Sequence, residues 1–451
     1  MAQITNIKKF AIKHDVRYLT VFIVDINGVL RGKRLPVDQL DRVINDGTRM
    51  PFSAANVDIW GRDIVDSPLV FKSGDKDGKC IWTSRAPILM NGNESKNLYI
   101  PMSYANEDGS PYMGDSRNVL INVLQNYAAE NLTPVLGLEL EFYLTSPVAP
   151  DPAIANPLNG AQKVHDGVLS VDDISDYSKF LDEICECCEA NAIALEAISS
   201  ESGMSQFEIN LKHTEDVLKL ADGLVFLKNI IRLISRKNGF AATFMAKPFA
   251  FRPGNGIHAH FSLLNENKRN VFDNGTETGS DYMLSSVGGL LAHMRQSALI
   301  FAPHLNSFRR LSPKQHAPLN FTWGYENRTA AIRIPGGKYS SRRIEHRVAG
   351  ADTNIYLVLA AILGAALDGL LHGTRPPQPV LGDCSYSDIG QEDALPATWF
   401  EAISSFEQGD LIGGALNSVI RDMLIRTKRQ ELLTFEHDVS SFEYETYLET
   451  V

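Results

Sequence analysis

Two short segments of the chain place acids or histidines two residues apart. Glu139 and Glu141 form the first pair, and His258 and His260 form the second. Side chains at positions i and i+2 of a β-strand project to the same face, so each pair can serve one site. Two buried carboxylates repel each other unless a positive group lies between them, and oxygen ligands suit Mg²⁺ or Mn²⁺. The spacing therefore predicts metal-assisted chemistry.

Three further glutamates are candidates for the same site: Glu201, Glu208 and Glu345. Glu208 alternates with apolar residues, which predicts a strand with one polar face. A single glutamate is more often a solvated strand or loop residue. The pair on an apolar strand and the alternation around Glu208 weigh against that interpretation.

The histidine pair follows a loop of small residues, 253–256, whose backbone can approach a ligand closely. One histidine could bind a metal ion while the other donates a hydrogen bond to an anion. Core packing is the usual role of a lone histidine, and for this pair the two interpretations stay equally open.

Arginines recur in the last third of the chain, several of them among apolar residues where a charge needs an anionic partner. Guanidinium groups match the geometry of phosphates and carboxylates, although a run of arginines is usually a solvated surface. Acid-held metals plus arginines, without a Gly-x4-Gly-Lys loop, predict phosphoryl transfer outside the P-loop class. The arginines are Arg309, Arg310, Arg328, Arg333, Arg342, Arg343 and Arg347.

The elements that must position these residues divide into two predicted domains. Near the start, strands are expected from Tyr18 to Ile26 and from Val29 to Leu35, joined by an Asn27-Gly28 turn. The polar stretch from Gly61 to Lys79 is expected to be a loop. We expect a small β-rich domain over 1–108 and a larger catalytic domain over 109–451.

In the larger domain, predicted helices and strands alternate, which indicates an α+β or α/β fold. Helices are expected over 117–131, 178–191 and 214–238, and strands over 138–144, 239–247, 256–264 and 330–335. An apolar run over 355–371 contains two glycines and an aspartate, so it predicts a buried helix rather than a membrane span. The polar stretch 378–395 is expected to be a surface loop.

The composition excludes some classes of protein. A formal net charge of -11 over 451 residues, with no long basic run, argues against a nucleic-acid partner. The first fourteen residues lack the pattern of a leader. Of the five cysteines, Cys185, Cys187 and Cys188 share one predicted helix on diverging faces, which favours reduced core residues over a zinc site. We therefore expect a cytoplasmic protein with no membrane contact.

Collinear motifs along most of the chain resemble those of the glutamine synthetase superfamily. They include Gly-Leu-Glu-Leu-Glu-Phe, Gln-Phe-Glu, Gly-Ile-His-Ala-His-Phe-Ser and Arg-Ile-Glu-His-Arg. Their positions are 24–28, 31–33, 137–142, 206–208, 242–248, 256–262, 306–311, 317–318, 327–335 and 343–347.

The resemblance implies an α+β architecture. A small N-terminal β-grasp domain would precede a large catalytic domain with a curved, barrel-like antiparallel sheet and helices. It also implies a homo-oligomer of two stacked hexameric rings, a dodecamer, whose active sites are shared between neighbouring subunits. ATP would be a co-substrate with glutamate and an amine, and each site would hold two or more Mg²⁺ or Mn²⁺ ions.

The resemblance also implies roles for matching positions. The γ-carboxylate of glutamate would attack ATP to give γ-glutamyl phosphate, and an amine would then displace phosphate to form an amide. One metal would be held by Glu141, Glu201 and Glu208, and the other by Glu139, His258 and Glu345. The substrate-binding residues would be Arg310, Arg347, Gly254 and Ser53, and the ATP-binding residues His260, Ser262, Arg328, Arg333 and Arg343.

The sequence departs from ammonia-using enzymes at two positions. Ser53 stands where such enzymes carry an aspartate, and His316 where they carry a glutamate. Without those carboxylates, ammonium loses charge attraction, whereas a larger amine can bind through its carbon skeleton. We therefore favour a γ-glutamylamine ligase, similar to the γ-glutamylpolyamine synthetases of amine catabolism. The alternatives are an ammonia-using glutamine synthetase with a rebuilt ammonium site and an inactive ring-forming descendant.

The amine must also lose a proton, because alkylamines have pKa values of roughly 10. His316 is the candidate base or gate, and Arg328 is expected to act with it in catalysis; Asp58 and Asp63 are weaker candidates. The family often has asparagine and histidine where this chain has Pro253 and Ser199. All six predicted metal-ligand positions hold glutamate or histidine, which disfavours the inactive alternative.

Overall fold

The computed structural model describes residues 2–90, 96–148, 157, 158, 160, 167–311, 317–384, 394–410 and 412–451. Its architecture is α+β, as predicted. The helices of the described residues are α1 (Ala2–Lys13), α2 (Leu40–Asn45), α3 (Ser116–Ala129), α4 (Val171–Asp176), α5 (Ser178–Ala190), α6 (Val217–Lys237), α7 (Asp281–Ala292), α8 (Met294–Phe301), α9 (Leu305–Arg310), α10 (Ile355–His372), α11 (Trp399–Gln408), α12 (Ser418–His437) and α13 (Ser441–Tyr447).

The strands form two sheets. The first contains β1 (Tyr18–Val24), β2 (Leu30–Pro36), β3 (Thr48–Pro51), β4 (Asp77–Trp82) and β5 (Asn97–Ala105), in the order β2-β1-β5-β4-β3. The second, a barrel-like sheet, contains β6 (Thr133–Thr145), β7 (Leu195–Ser200), β8 (Gln206–Thr214), β9 (Ala241–Thr243), β10 (Ile257–Leu264), β11 (Trp323–Tyr325), β12 (Ile332–Ile334) and β13 (Ile344–His346).

The N-terminal strand pair is confirmed, but its connection is longer than the predicted two-residue turn. The Asp25 carboxylate accepts hydrogen bonds from the backbone N–H groups of Asn27 and Val29, both at 2.9 Å, which holds 25–29 as one turn. Gly28 has a φ of 78°, a conformation that glycine adopts without strain. The side chain of Asp25 thus ends β1 two residues earlier than predicted.

The prediction of a loop from Gly61 to Lys79 is wrong in part. A single π-helical turn covers Pro68–Lys72, and Ser67 caps it by accepting a hydrogen bond from the Leu69 N–H at 3.3 Å. Strand β4 begins at Asp77 and buries Gly78 and Cys80 in an otherwise polar segment. Because only its alternate residues are buried, the composition of this segment did not reveal the strand.

The second sheet has the order β11-β12-β13-β10-β6-β8-β7, and β9 pairs with the end of β6. All its pairs are antiparallel except β11 and β12, which run parallel, so the expectation of an antiparallel sheet needs that correction. The helix predicted from Thr214 begins at Val217, because Thr214 ends β8 and Asp216 caps α6. Strands β9 and β12 are shorter than predicted.

Helix α10 is the apolar helix predicted over 355–371. By length and composition alone it could cross a membrane, but 78% of it is buried inside the protein, where it packs against α7 and α3. The prediction of a buried core helix is therefore confirmed.

The cysteines are free thiols, and on α5 Cys187 and Cys188 are buried. Cys185 is exposed, so the expectation that all three cysteines of this helix lie in the core is wrong for that residue. The last strand of the small sheet ends at Ala105 and α3 begins at Ser116, while the proposed domain boundary at residue 108 stays a prediction.

Candidate active site

The candidate site begins on one face of β6. Leu138, Leu140 and Phe142 are fully buried in the core, whereas Glu139 and Glu141 are half-buried on the opposite face. This is the alternation that the sequence predicts for a strand with one apolar face. Both carboxylates therefore project from the same side of the sheet.

The register of the neighbouring strands brings the other predicted residues to this face. Glu141 pairs with Glu208 on β8, and Glu139 pairs with His258 on β10. On the far side of β10, His260 pairs with Glu345 on β13. Glu201 follows the end of β7, and its N–H donates to the Gln206 carbonyl at 2.8 Å.

These side chains form three overlapping sets whose candidate ligand atoms lie within 4.8 Å of one another. The sets are Glu141, Glu201 and Glu208; Glu139, Glu208 and His258; and Glu139, His260 and Glu345. The first set has the composition predicted for one metal. The second predicted set, Glu139, His258 and Glu345, is divided between the other two groups, and His260 also comes within ligand distance.

Charge in the first set is strongly uncompensated. Burial, reinforced by the charge of Glu141, raises the pKa of Glu201 to about 7. Burial and then repulsion from Glu139, Glu141 and Glu201 raise the pKa of Glu208 to about 9. Carboxylates that hold protons near neutral pH for lack of a positive neighbour are a good fit to a divalent cation.

The other two acids of the cluster, Glu139 and Glu345, have histidine and arginine side chains beside them. Glu139 accepts hydrogen bonds from Nδ1 of His258 and Nε2 of His260, both at 2.9 Å, and despite burial these imidazoles hold its pKa well below its usual range. Burial alone would raise the pKa of Glu345, but Arg347, His260 and His258 together lower it to about 2. Arg333 also donates to Glu345 at 2.7 Å.

The two arginines predicted to bind glutamate are buried beside the acids. Nη1 of Arg310 donates to the Val348 carbonyl at 2.8 Å, and burial lowers the pKa of Arg310. Arg347 contacts the carboxylate of Glu345 closely. Gly254 packs directly against Arg310, because a Cβ atom at Gly254 would lie 2.8 Å from the Arg310 Cγ and 2.4 Å from the Ala246 carbonyl oxygen.

A cavity of about 710 Å³ opens at the histidine end of the cluster. Its walls include three predicted ATP-binding residues, His260, Ser262 and Arg343, and Nε of Arg343 donates to Nδ1 of His260 at 3.4 Å. Residues that the sequence analysis missed also line it: Glu196, Asn210, His213, Ser340 and Ser341. Asn210 could have been found, since it lies two residues after Glu208 on the same strand face.

Other predicted residues are not brought into this cluster. Arg328 is exposed, although its charge is close enough to lower the pKa of Glu201 against the opposing effect of burial. Ser53 is buried in a short 3₁₀ turn after β3 and, in the described part of the chain, lines neither the acid cluster nor the cavity. His316 lies outside the described residues.

Asp58, a weaker candidate for the base, is fully buried. Its carboxylate accepts hydrogen bonds from Nε of Arg62 at 2.7 Å, from Nε2 of Gln430 at 2.9 Å and from two backbone N–H groups. A carboxylate with this many donors stabilises the local fold, and its acceptor sites are already occupied, so Asp58 does not fit the role of a base.

The two-sheet α+β fold and the acid and histidine cluster define a ligase of the glutamine synthetase family. The family's profile, described as glutamine synthetase, catalytic domain, matches residues 113–447, and the chain belongs to this family.

Curated relatives and a solved structure are similar over nearly the whole chain. A gamma-glutamylputrescine synthetase, PuuA, of Escherichia coli (strain K12) is 32% identical, over 96% of this chain and 92% of its own. A glutamine synthetase of Pyrococcus abyssi is also 32% identical, over 92% and 90%, and a glutamate–isopropylamine ligase of a Pseudomonas species is 30% identical, over 100% and 98%. The structure titled "Apo GmaS without ligand" has 26% identity and a TM-score of 0.84, covering 98% of each chain.

Proposed function

We propose that this member of the family is an ATP-dependent ligase that joins the γ-carboxylate of glutamate to an organic amine. The observation that carries the proposal is the clustering of Glu139, Glu141, Glu201 and Glu208 on one sheet face, where burial and the neighbouring carboxylates raise the pKa values of Glu201 and Glu208. Buried arginines lie beside the cluster. Such a site suits a reaction in which two anions must meet.

Each group of residues has one role in this proposal. Glu141, Glu201 and Glu208 would hold one divalent cation, and Glu139, His258 and Glu345 a second. Bound Mg²⁺ or Mn²⁺ would neutralise phosphate charge and polarise the terminal phosphate. Arg310 and Arg347 would bind the carboxylates of glutamate, with Gly254 leaving room for Arg310. ATP would lie in the 710 Å³ cavity against His260, Ser262 and Arg343, with Arg328 and Arg333 on its phosphates.

In the first step, a γ-carboxylate oxygen of glutamate attacks the terminal phosphorus of ATP and ADP leaves, which gives γ-glutamyl phosphate. In the second step, the amine nitrogen attacks the acyl carbon, phosphate leaves, and the nitrogen loses a proton. The chain must therefore screen negative charge first and accept a proton second. His316 is our candidate acceptor of that proton.

Overall sequence identity does not distinguish the two acceptors, because the chain is 32% identical both to a gamma-glutamylputrescine synthetase and to a glutamine synthetase. The preference for an organic amine therefore depends on individual residues. Ser53 and His316 stand where ammonia-using enzymes carry acids, so the ammonium cation has less charge to attract it. Two curated relatives named for amines support the preference. We further propose a cytoplasmic enzyme of amine catabolism.

A panel of acceptors tests the proposal. Phosphate release should be measured with glutamate, ATP and Mg²⁺ or Mn²⁺, adding ammonium, monoalkylamines, diamines or polyamines in turn. We expect turnover with at least one organic amine at a kcat/KM at least about ten-fold above that for ammonium. Efficient turnover with ammonium and none with any amine would establish the alternative, a glutamine synthetase with a rebuilt ammonium site. No turnover with any acceptor would establish an inactive descendant.

A further inference from the structure

A second cavity, of about 350 Å³, lies between the two sheets. Its walls come from the turn after β1, from α6, from the residues around β9, from the start of α9 and from the segment before α10. It shares no lining residue with the 710 Å³ cavity, and none of the described candidate site residues lines it. It is therefore a separate compartment of a size that suits a small organic molecule.

Two cations of α6 line this cavity, and neither has a carboxylate partner among the residues described. The ammonium of Lys228 donates to the carbonyls of Ala351 at 2.6 Å and Thr353 at 3.3 Å. The guanidinium of Arg232 lies over the ring of Phe244, with its carbon 5.0 Å from the ring centroid. Lys228 is half-buried and Arg232 is exposed, and a partly desolvated positive charge with no carboxylate partner favours binding of an anion.

The surrounding titratable groups supply only part of the compensation for these charges. Asp352 also lines the cavity; its Oδ2 accepts a hydrogen bond from the Ser307 hydroxyl at 2.7 Å, and its Oδ1 has no hydrogen-bond partner among the described residues. His304 is directed toward Lys428 and Glu431, at 3.5 and 3.8 Å. Burial, and then the charge of Arg232, lower the pKa of Lys228 to about 7 against the opposing effect of Asp352.

The remaining wall is mostly apolar. Leu224, Val225 and Phe244 are buried side chains that face this space, and Phe435 of α12 closes another part of it. A purely inorganic anion would leave these surfaces in contact with water. An anion with a hydrocarbon body would cover them and would also meet both cations.

We propose that this cavity binds a small organic carboxylate, with its anionic end on Lys228 and Arg232 and its carbon body against Phe244 and the leucine and valine of α6. This site is independent of the proposed ligase reaction. It borders the first turn of α9, whose last residue is Arg310, so occupancy would also restrain the helix that carries this arginine.

Calorimetric titration of the full-length, metal-loaded enzyme tests the site. A non-hydrolysable ATP analogue should be present at saturation, and glutamate should be left out because it is itself a carboxylate that would compete with the probes. The variants of Lys228 and Arg232 then separate this cavity from the candidate active site. Butyrate and benzoate are the probes, butyramide and benzamide are the neutral matches, and inorganic phosphate is the third arm. We expect the carboxylates to bind and the amides and phosphate to bind at least about ten-fold more weakly.

Lys228→Met and Arg232→Gln should each weaken carboxylate binding by about ten- to a hundred-fold. Arg236→Gln, one turn further along α6 and outside the cavity wall, should leave it unchanged. Arg232 is exposed, so its variant keeps the test valid if Lys228→Met does not fold. Equal binding by all variants, equal binding of amides or phosphate, or no binding because a neighbouring subunit fills the cavity would each overturn the proposal.

Discussion

At the residue scale, the candidate site is a set of acids that repel one another. Glu208 shows this most clearly, because burial and three neighbouring glutamates raise its pKa to about 9. Glu139 and Glu345 lie in the same cluster, yet their pKa values are lowered by imidazole and guanidinium groups. Two neighbouring parts of one sheet face thus differ in how far their charge is already neutralised.

We expect Glu208→Gln to reduce the pH dependence of stability of the metal-free protein between about pH 5 and 9. A carboxyl group whose pKa is higher in the folded than in the unfolded state binds more protons when folded, so stability falls as pH rises through this window. The melting temperature should be measured in chelator as a function of pH for the wild type and the variant. It should fall more steeply with rising pH for the wild type. Parallel curves would contradict the raised pKa of Glu208.

Glu141→Ala should reduce turnover by roughly 100-fold or more while leaving the fold and assembly intact. Glu141 is half-buried on the polar face of β6, so its loss removes a candidate ligand and one like charge rather than core packing. Phosphate release, melting temperature and gel filtration measure the three properties. Glu189→Gln, at an exposed site on α5, is the matched control, and collapse of the assembly in Glu141→Ala would refute this role.

At the element scale, the site depends on the register between strands and on one tightly packed loop. Gln206 contributes to that loop, because its amide nitrogen donates to the Gly254 carbonyl and to the Asn255 side chain, both at 2.9 Å. Gly254 in turn fits between Ala246 and Arg310. The position of Arg310 therefore depends on the backbone at Gly254, where there is no room for a side chain.

Gly254→Ala should raise the KM for glutamate by about ten-fold or more, because its Cβ would displace either the Ala246 backbone or Arg310. Gly223→Ala is the matched control. A Cβ at Gly223, within α6, would meet its nearest atom at 3.8 Å, so this variant should be neutral or more stable by up to about 1 kcal/mol. Steady-state kinetics with varied glutamate distinguish the two, and an unchanged KM in Gly254→Ala would contradict the placement of Arg310.

Local pattern was enough to predict the long elements and the polar face of β6, since periodicity and capping are properties of short segments. It could not predict β4, whose polar residues conceal two buried positions, or the parallel pair of β11 and β12, which depends on a contact between distant segments. The sequence also did not predict His260 as a metal ligand. The pairing of β10 with β13 nevertheless brings His260 and Glu345 within ligand distance. Side-chain identity indicates which ligands are possible, and only register shows which of them meet.

At the scale of the whole molecule, we propose that twelve chains form two stacked rings with shared active sites. Among the described residues, Ser53 belongs neither to the acid cluster nor to the wall of the 710 Å³ cavity of its own chain. A role for this segment at an acceptor site therefore requires a neighbouring subunit. Mass photometry of the purified enzyme should detect particles of twelve chains, and a monomer with full activity would exclude shared sites.

The double variant Ser53→Asp with His316→Glu should raise kcat/KM for ammonium by about ten-fold or more, because two carboxylates would restore attraction for a small cation. The change should be smaller in each single variant, and kcat/KM for the best organic amine should fall. Rates of phosphate release with each acceptor provide the measurement. No gain with ammonium in the double variant would show that these positions do not select the acceptor.

Two of the acids are each shared between neighbouring triads: Glu139 belongs to two of the three groups, and so does Glu208. Divalent ions bound at adjacent positions would therefore share a glutamate, so the binding of one ion would affect the binding of the next. The first ion would use a carboxylate of the adjacent position, but its charge would also reduce the repulsion that opposes ionisation of the remaining glutamates. Manganese uptake should consequently be stepwise, with protons released mainly at the first step.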